Sequence, residues 1–294
     1  MPQTPLISVC IITYNQELYV AQTIESILEQ ECNVPFEIII GEDVSTDTTR
    51  SICERYASEY PELIRLLPSD RNWGVGGNLL RTFRAAKGKY LAICEGDDYW
   101  TYPQKLQEQL DHFERHPDSS MVYTNNVDYW EDSGEITPCI WPDFNIPETI
   151  DLEYVLKRNW FIRTATIMFR RDVVDMLPPE YDGLYNTDYL LHLYSALFGP
   201  IRRIPNLESM AVYRHHPTGI SNNSKLQVKV QRHLRYLWQL IPICTAAQSR
   251  SVTKAAARHC VTQFKSVAKL TSRSALPGPV LSLLKTIRAK LKNV

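Results

Sequence analysis

Three segments of this chain are apolar along nearly their whole length rather than at every second position: Leu6–Thr13 (LISVCIIT), Phe36–Gly41 (FEIIIG) and Tyr90–Cys94 (YLAIC). A strand of that kind has no face for water, so it must be covered on both sides and paired along both edges. The stretches between the segments have helical character, at about Leu18–Gln30, about Thr46–Tyr60 with Ser45 or Thr46 as its cap, and from the loop Gly74-Val75-Gly76-Gly77 to about Ala86. A short strand is expected near Ile64–Leu67. Buried strands that alternate with helices predict an α/β fold, a mostly parallel central sheet flanked by helices. Ligands are then expected in the polar loops that follow the strands, here Tyr14-Asn15, Glu42-Asp43-Val44-Ser45 and Glu95-Gly96-Asp97-Asp98.

Beyond Pro103 the pattern predicts a helix over Gln104–His116, a strand over Ser120–Thr124 and a loop-like stretch from Trp130 to Pro147. A short helix capped by Thr149 and running to Leu156, a strand over Thr164–Phe169, a helix over Asp188–Phe198 and a strand over Met210–Arg214 follow. After Ser224 only helical segments remain, the last set apart by Pro277-Gly278-Pro279. Charge divides the chain at the same point. Residues 225–294 hold 14 Lys plus Arg and no Asp or Glu, which leaves 18 basic against 33 acidic residues in 1–224. The organisation expected is a catalytic-type α/β domain over 1–224 and a basic helical extension over 225–294. Such an extension suits an anionic partner, either nucleic acid or a membrane surface, and composition alone does not choose.

The chain has 294 residues, 44% of them hydrophobic and 22% charged, which excludes long disorder and collagen-like or isolated coiled-coil structure. No window supplies the apolar length of a spanning helix, and Met1–Asn15 has no basic n-region, so the expected location is the cytosol. Seven scattered cysteines without a CxxC pair argue for buried thiols rather than a disulfide frame or zinc ribbon.

Read by itself, the acidic group Glu95, Asp97, Asp98 has two readings: a turn that leads into the following helix, or oxygen ligands for Mg²⁺ or Mn²⁺. Asp188 likewise reads as an acid at a helix N-terminus or as a catalytic carboxylate. Gly74, Gly76 and Gly77 are no dinucleotide fingerprint, because they do not directly follow a strand.

In order and spacing, Pro5–Asn15 (PLISVCIITYN), Glu42–Thr48 (EDVSTDT) and Gly88–Trp100 (GKYLAICEGDDYW) resemble family 2 glycosyltransferases of the GT-A fold, of the bacterial cell-surface polysaccharide type. Thr187-Asp188 and Tyr213–Ser221 (YRHHPTGIS) are similar to that family's later motifs, so the resemblance covers about residues 5–222. It implies a GT-A nucleotide-diphospho-sugar transferase fold and a metal-dependent, inverting transfer of a hexosyl or N-acetylhexosaminyl group. The implied donor is a nucleotide-diphosphate sugar, most simply a UDP-sugar, and the implied acceptor a saccharide or lipid-linked saccharide. A capsule or lipopolysaccharide product at the inner face of the cytoplasmic membrane would follow. A sugar nucleotidyltransferase is the rival enzyme, but Thr13-Tyr14-Asn15-Gln16 lacks its glycine- and arginine-rich loop. A nucleotide-sugar-binding protein without catalysis is the rival from another class.

By the resemblance, Thr13, Tyr14 and Asn15 lie at the donor, Tyr14 against the nucleobase, and Asp43 accepts the base's imide N–H. Asn78 contacts the donor, Asp97 sits near its ribose, and Asp98 with His216 holds Mn²⁺ or Mg²⁺. Arg214 and His216 approach the diphosphate, Asp188 is the general base, and Trp160, Arg163 and Thr166 form the acceptor wall. Glu42 and Glu95 replace commoner aspartates, and Thr187 replaces a commoner acid before the base. The final segment Val280–Val294 gathers Val280, Leu281, Leu284, Ile287 and Leu291 on one helical face, with Lys285, Arg288, Lys290 and Lys292 mostly off it. It fits either an interfacial membrane helix or a helix docked on the catalytic domain, and the acid-free tail favours the membrane over nucleic acid.

Overall fold

The computed structural model describes residues 4–139, 146–157, 162–177, 187–205 and 208–219, so Trp160 and the extension 225–294 lie outside the described residues. The elements run β1 (Ile7–Thr13), α1 (Val20–Leu28), β2 (Phe36–Glu42), α2 (Thr49–Glu59), β3 (Ile64–Leu66), α3 (Gly74–Ala85), β4 (Tyr90–Glu95), β5 (Tyr99–Trp100) and α4 (Lys105–Arg115). They continue with β6 (Met121–Tyr123), β7 (Asn126–Trp130), β8 (Glu135–Pro138), β9 (Thr149–Ile150), α5 (Leu152–Lys157), β10 (Ile167–Arg170), α6 (Thr187–Phe198), β11 (Ile201–Arg203) and β12 (Ala211–His215).

The central sheet has the order β3-β2-β1-β4-β10-β6-β11-β9. β3, β2, β1 and β4 are mutually parallel, while β10 runs against both β4 and β6, so the sheet is mixed. Side chains of β1 alternate between two cores. Ile7, Val9 and Ile11 pack with residues of α1, α2 and α4, whereas Cys10 and Ile12 pack with residues of α3, α5 and α6. All seven residues of β1 are buried, which is why its sequence shows no polar alternation. α3 lies so close on β2 that a Cβ at Gly41 would collide with Thr82 Oγ1 and come 2.7 Å from Asn78 Oδ1. A smaller sheet, β5-β12-β7-β8, stands beside the carboxyl end of β4.

Several boundaries differ from the sequence reading, each for a local reason. The glycine run is the first turn of α3 and not a loop, with Gly74 at φ 71°. Asp47, not Ser45 or Thr46, holds the start of α2, its Oδ1 accepting the Thr49 N–H at 3.0 Å. Thr149 belongs to β9, and Asp151 Oδ1 accepts the Tyr154 N–H of α5 at 2.8 Å. Thr164–Thr166 is a 3₁₀ turn that precedes β10. The stretch expected to be loop-like contains β8, which pairs antiparallel with β7. No described helix is long and apolar enough to cross a membrane. The five described cysteines are free, three of them buried.

Lys105 is fully buried at the base of α4, its Nζ donating to Gln109 Oε1 at 2.9 Å and lying 4.0 Å from the Trp100 ring centroid. Burial pulls its ammonium down from 10.5 to about 7. Between those values the unfolded chain keeps a proton that the folded chain has released, so this group makes folding more favourable as pH rises from 7 towards 10.5. The urea stability of the native chain, minus that of Lys105→Met, is therefore expected to increase between pH 7 and pH 10 by roughly 2–4 kcal/mol. A flat difference would show that the ammonium is not desolvated.

Candidate functional site

β1 sits at the point where the strand order reverses, with β2 on one side and β4 on the other, and ligands of open α/β sheets bind at such a point beyond the carboxyl ends of the strands. The parallel register aligns Thr13 with Glu42 and Ile12 with Glu95, so the three polar loops emerge together. The first two loops are tied to each other. Asn15 donates its N–H to Ser45 Oγ at 2.9 Å and accepts the Thr46 N–H at 2.8 Å, and Gln16 N–H donates to Thr49 Oγ1 at 2.8 Å. Asn15 and Val44 hold positive φ of 53° and 61°, a conformation that costs a non-glycine residue on the order of 1 kcal/mol and persists here under these cross-bonds. Tyr14 is left exposed on this platform. Asp43 is buried, and its two oxygens accept the N–H groups of Trp73 and Gly74 at 2.8 and 2.9 Å, so it holds the N-terminus of α3. Its pKa is raised by burial, against the pull of those N–H groups and of Arg81.

The third loop is clasped by the end of β12. Asp98 Oδ1 accepts the backbone N–H of Arg214 at 3.0 Å, the Asp97 carbonyl accepts Arg214 Nε–H at 2.9 Å, and His216 Nε2 lies 2.9 Å from Asp97 Oδ2. From the other side, Thr23 Oγ1 donates to the Asp98 carbonyl at 2.7 Å. The Arg214 guanidinium lies 4.8 Å from the Tyr19 ring centroid and also over Tyr99 and Tyr129, while Tyr19 donates its hydroxyl to Glu131 at 2.7 Å.

Glu95, Asp97, Asp98 and Asp188 form one repelling group. Burial first, then Asp97 and Asp188, push the Glu95 carboxyl up to about 8, against the pull of Thr164 and Arg163. Burial, Asp97 and Glu95 raise Asp98 well above the ordinary range, against the Arg214 N–H and Arg163. Asp188 stands in the first turn of α6 and accepts the Tyr189 N–H at 2.8 Å.

Asp98 Oδ2, Thr13 Oγ1 and Gln16 Oε1 are buried polar atoms without a hydrogen-bond partner. The last two line Gly96, where a Cβ would come within 2.6 Å of each. An orphaned carboxylate oxygen in a crowd of acids suits a hard divalent cation, and the cradle at Gly96 suits a ligand that donates hydrogen bonds. Among the described residues no three His, Cys, Asp or Glu side chains make a closed metal cage, so an ion at Asp98 would take its other oxygens from ligand and water.

The expected site residues therefore separate. Thr13, Tyr14, Asn15, Asp43, Asp97, Asp98, Arg214 and His216 gather around the ends of β1, β2 and β4. Arg163 and Asp188 join them through Glu95. Two of the expected residues are buried and bonded within the fold. Asn78 is 2% exposed, donates to the Gly41 carbonyl at 2.6 Å and accepts from Arg81 Nε, which ties α3 to β2. Thr166 is 1% exposed, and its hydroxyl closes the turn onto the Arg163 carbonyl at 2.7 Å. His216 has both ring nitrogens engaged, Nδ1 with Thr218 Oγ1 at 2.9 Å and Nε2 with Asp97, and in this arrangement it offers no metal ligand beside Asp98. The structure adds Gln16, whose place after Thr13-Tyr14-Asn15 is the available signal, and Asp128, whose Oδ2 accepts from Arg163 Nη2 at 2.9 Å and whose short strand gives no signal.

A model of glycosyl transferase family 2 matches residues 8–177. An uncharacterized protein of Mycobacterium tuberculosis is 36% identical over 217 residues, which are 72% of this chain and 60% of that one. TuaG of Bacillus subtilis, named as a teichuronic acid biosynthesis glycosyltransferase, is 30% identical over 168 residues, 57% of this chain and 63% of its own. The chain thus spans about 60% of the mycobacterial relative that it matches. Among solved structures, S. aureus TarS 1–349 in complex with UDP-GlcNAc has a TM-score of 0.68 at 16% identity, over 97% of this chain and 80% of that one. The mannosyltransferase PcManGT of Pyrobaculum calidifontis, in complex with GDP-Man and Mn²⁺, has 0.59 at 17%, over 98% and 80%. At these identities the structures show likeness of fold.

Because Glu95 is a weaker acid folded than unfolded, its contribution to stability is present below pH 4.5 and is lost as pH rises through about 8. Glu95→Gln is expected to melt within a degree of the native chain at pH 4.5 and about 3–6 °C higher at pH 8.5, by scanning fluorimetry. Equal differences at both pH values would contradict the carboxylate crowding.

Proposed function

This chain belongs to glycosyl transferase family 2 and has the GT-A fold, and from that premise we propose that it is a metal-dependent, inverting glycosyltransferase. It would move a hexosyl or N-acetylhexosaminyl group from a nucleotide-diphosphate donor, first of all a UDP-sugar, onto a saccharide or lipid-linked saccharide of a surface polysaccharide. The observation that carries the reading is the orphaned Asp98 Oδ2 in the acidic loop after β4, flanked by the Arg214 and His216 clasp and facing the platform of β1 and β2. The bound nucleotides of the two structural neighbours, UDP-GlcNAc and GDP-Man, and the Mn²⁺ of one of them support the donor class.

In this reading Tyr14 covers the nucleobase, and Asp43, already polarised by two backbone N–H groups, accepts the imide N–H on a remaining lone pair. Thr13 Oγ1 and Gln16 Oε1 take up hydroxyls of the donor beside Asp97. A divalent cation at Asp98 supplies charge neutralisation for the leaving diphosphate. Arg214 and His216 exchange their contacts with Asp97 and Asp98 for phosphate oxygens, which the guanidinium fork fits. Asp188 accepts the proton of the acceptor hydroxyl as that oxygen attacks the anomeric carbon opposite the diphosphate, and one displacement inverts the centre. The clasp lowers the cost of an acidic loop without ligand, and opening it frees the Arg214 guanidinium and the His216 ring for the diphosphate.

The domain division at 224 and a membrane role for 225–294 belong to the same proposal. The extension carries +14 and no acid, and an acceptor held in the inner leaflet would explain it.

Calorimetric titration of UDP, dTDP and GDP with and without Mn²⁺ is expected to give metal-dependent binding, tightest for UDP, weakened at least tenfold in Asp98→Ala. Asp188→Asn is expected to bind nucleotide as the native chain does and to lose 10²–10⁴-fold in turnover. Metal-independent binding or none, or a fully active Asp188→Asn, would overturn the corresponding role. In flotation assays the full chain should rise with anionic vesicles at low salt, stay behind at about 0.5 M salt, and ignore zwitterionic vesicles. Equal flotation on both vesicle types would exclude the electrostatic role of the extension.

A further inference from the structure

The smaller sheet has two faces, and the donor reading uses one of them. Arg214 and Tyr129 turn to that side. Alternation along β12 and β7 brings Tyr213 and His215 beside Asp128 and Trp130 on the other. There the His215 ring is stacked on the Trp130 indole, with centroids 3.8 Å apart and planes 5° from parallel, and Tyr213 meets His215 edge-on at 4.9 Å. The Arg163 guanidinium lies 3.9 Å from the Tyr213 ring centroid and donates to Asp128 Oδ2 at 2.9 Å, the same oxygen that stands 3.1 Å from His215 Nε2.

Arg163 is followed by Thr164, whose side chain hydrogen-bonds the Glu95 carboxyl, so the row begins beside the carboxylate group. A shelf runs from Arg163 through Tyr213, Asp128 and His215 to Trp130, which is 39% exposed at its outer end. Its chemistry is mixed in a specific way. Flat rings lie beside a carboxylate whose charge is already balanced by a guanidinium, so the shelf is nearly neutral and suits neither a phosphate nor a free carboxylate. A pyranose ring is complementary to it. One face of such a ring is a patch of axial C–H groups that packs on aromatic rings, and its rim carries vicinal hydroxyls that donate to a carboxylate and accept from a guanidinium.

We propose that this shelf is the acceptor subsite, with Trp130 as the stacking surface for an uncharged pyranose of the acceptor and Asp128 and Arg163 as its hydroxyl partners. The proposal rests on the glycosyltransferase reading for the word acceptor, while saccharide binding itself is testable without turnover. Of the residues placed at the acceptor from the sequence, it retains Arg163.

Saturation-transfer NMR on the full chain, with methyl pyranosides of glucose, galactose, N-acetylglucosamine, mannose and rhamnose as probes, is the test. At least one probe is expected to receive saturation, strongest on the axial ring protons of one face. Its affinity should fall tenfold or more in Trp130→Ala and no more than about threefold in Trp130→Phe. It should be unchanged in Ile136→Ser, because Ile136 is exposed on the same hairpin but shares the face of Tyr129. Absence of saturation on every probe, native affinity in Trp130→Ala, or an equal loss in Ile136→Ser would overturn the subsite. Nucleotide titration of the same Trp130→Ala protein should match the native chain. If nucleotide fails to bind the native chain while saccharide binding still depends on Trp130, the glycosyltransferase reading falls and the saccharide site stands.

Discussion

A strand buried on both faces imposes a complete plan on the elements around it. β1 has no water-facing side chain, so helices must cover it above and below, and its two edges must be paired, here by β2 and β4 in parallel register. Parallel pairing in turn requires a crossover helix between successive strands, and it sends all the carboxyl ends to one end of the sheet. The site is a consequence of that geometry. Residues of three loops that lie between Tyr14 and Asp98 converge because the parallel strands that precede them all end at the same side of the sheet.

The convergence carries an electrostatic cost. Glu95, Asp97, Asp98 and Asp188 repel one another in a region largely withdrawn from water, and carboxylates in such a place shift upward until a cation or a hydrogen-bond donor compensates. The fold offsets part of the cost with Arg163, with the Arg214 backbone N–H, and with His216 against Asp97. It leaves part standing, in an Asp98 oxygen and two neighbouring acceptors with nothing to bind. A structure that retains buried unsatisfied acceptors next to a glycine cradle is arranged for a ligand that brings the missing donors and charge. The same arginine, Arg163, acts on Glu95 and Asp98 and also packs on the aromatic face of the smaller sheet through Tyr213 and Asp128.

Much of this could be read in the residues alone. The uninterrupted apolar runs specified the layers, and the short polar segments after them marked the loops that meet. The resemblance to family 2 glycosyltransferases, and not the residues read singly, gathered Asp43, Asp97, Asp98 and Asp188 into one site. Short elements escaped. β5, β7, β8 and β11 are two to five residues long and gain their order from partners far along the chain, Tyr129 from Arg214 for example, so no local periodicity announces them. The glycine run reads as a loop because glycine is a poor helix former, yet α3 begins there with its N–H groups held by Asp43.

By itself the sequence determined which strands are buried and which loops are polar, and hence the fold and the end of the sheet where a ligand binds, because burial patterns depend on side-chain type and spacing. Only the tertiary structure decided which polar groups remain available. Asn78 and Thr166 look as suitable as Thr13 in the chain, but a hydrogen bond depends on what stands opposite, and opposite them stand Gly41, Arg81 and the turn at Arg163. Asp97 and Asp98 meet partners more than a hundred residues away in His216 and Arg214. Those meetings are set by packing, and packing consumed some of the candidate groups while leaving Asp98 Oδ2 without a partner.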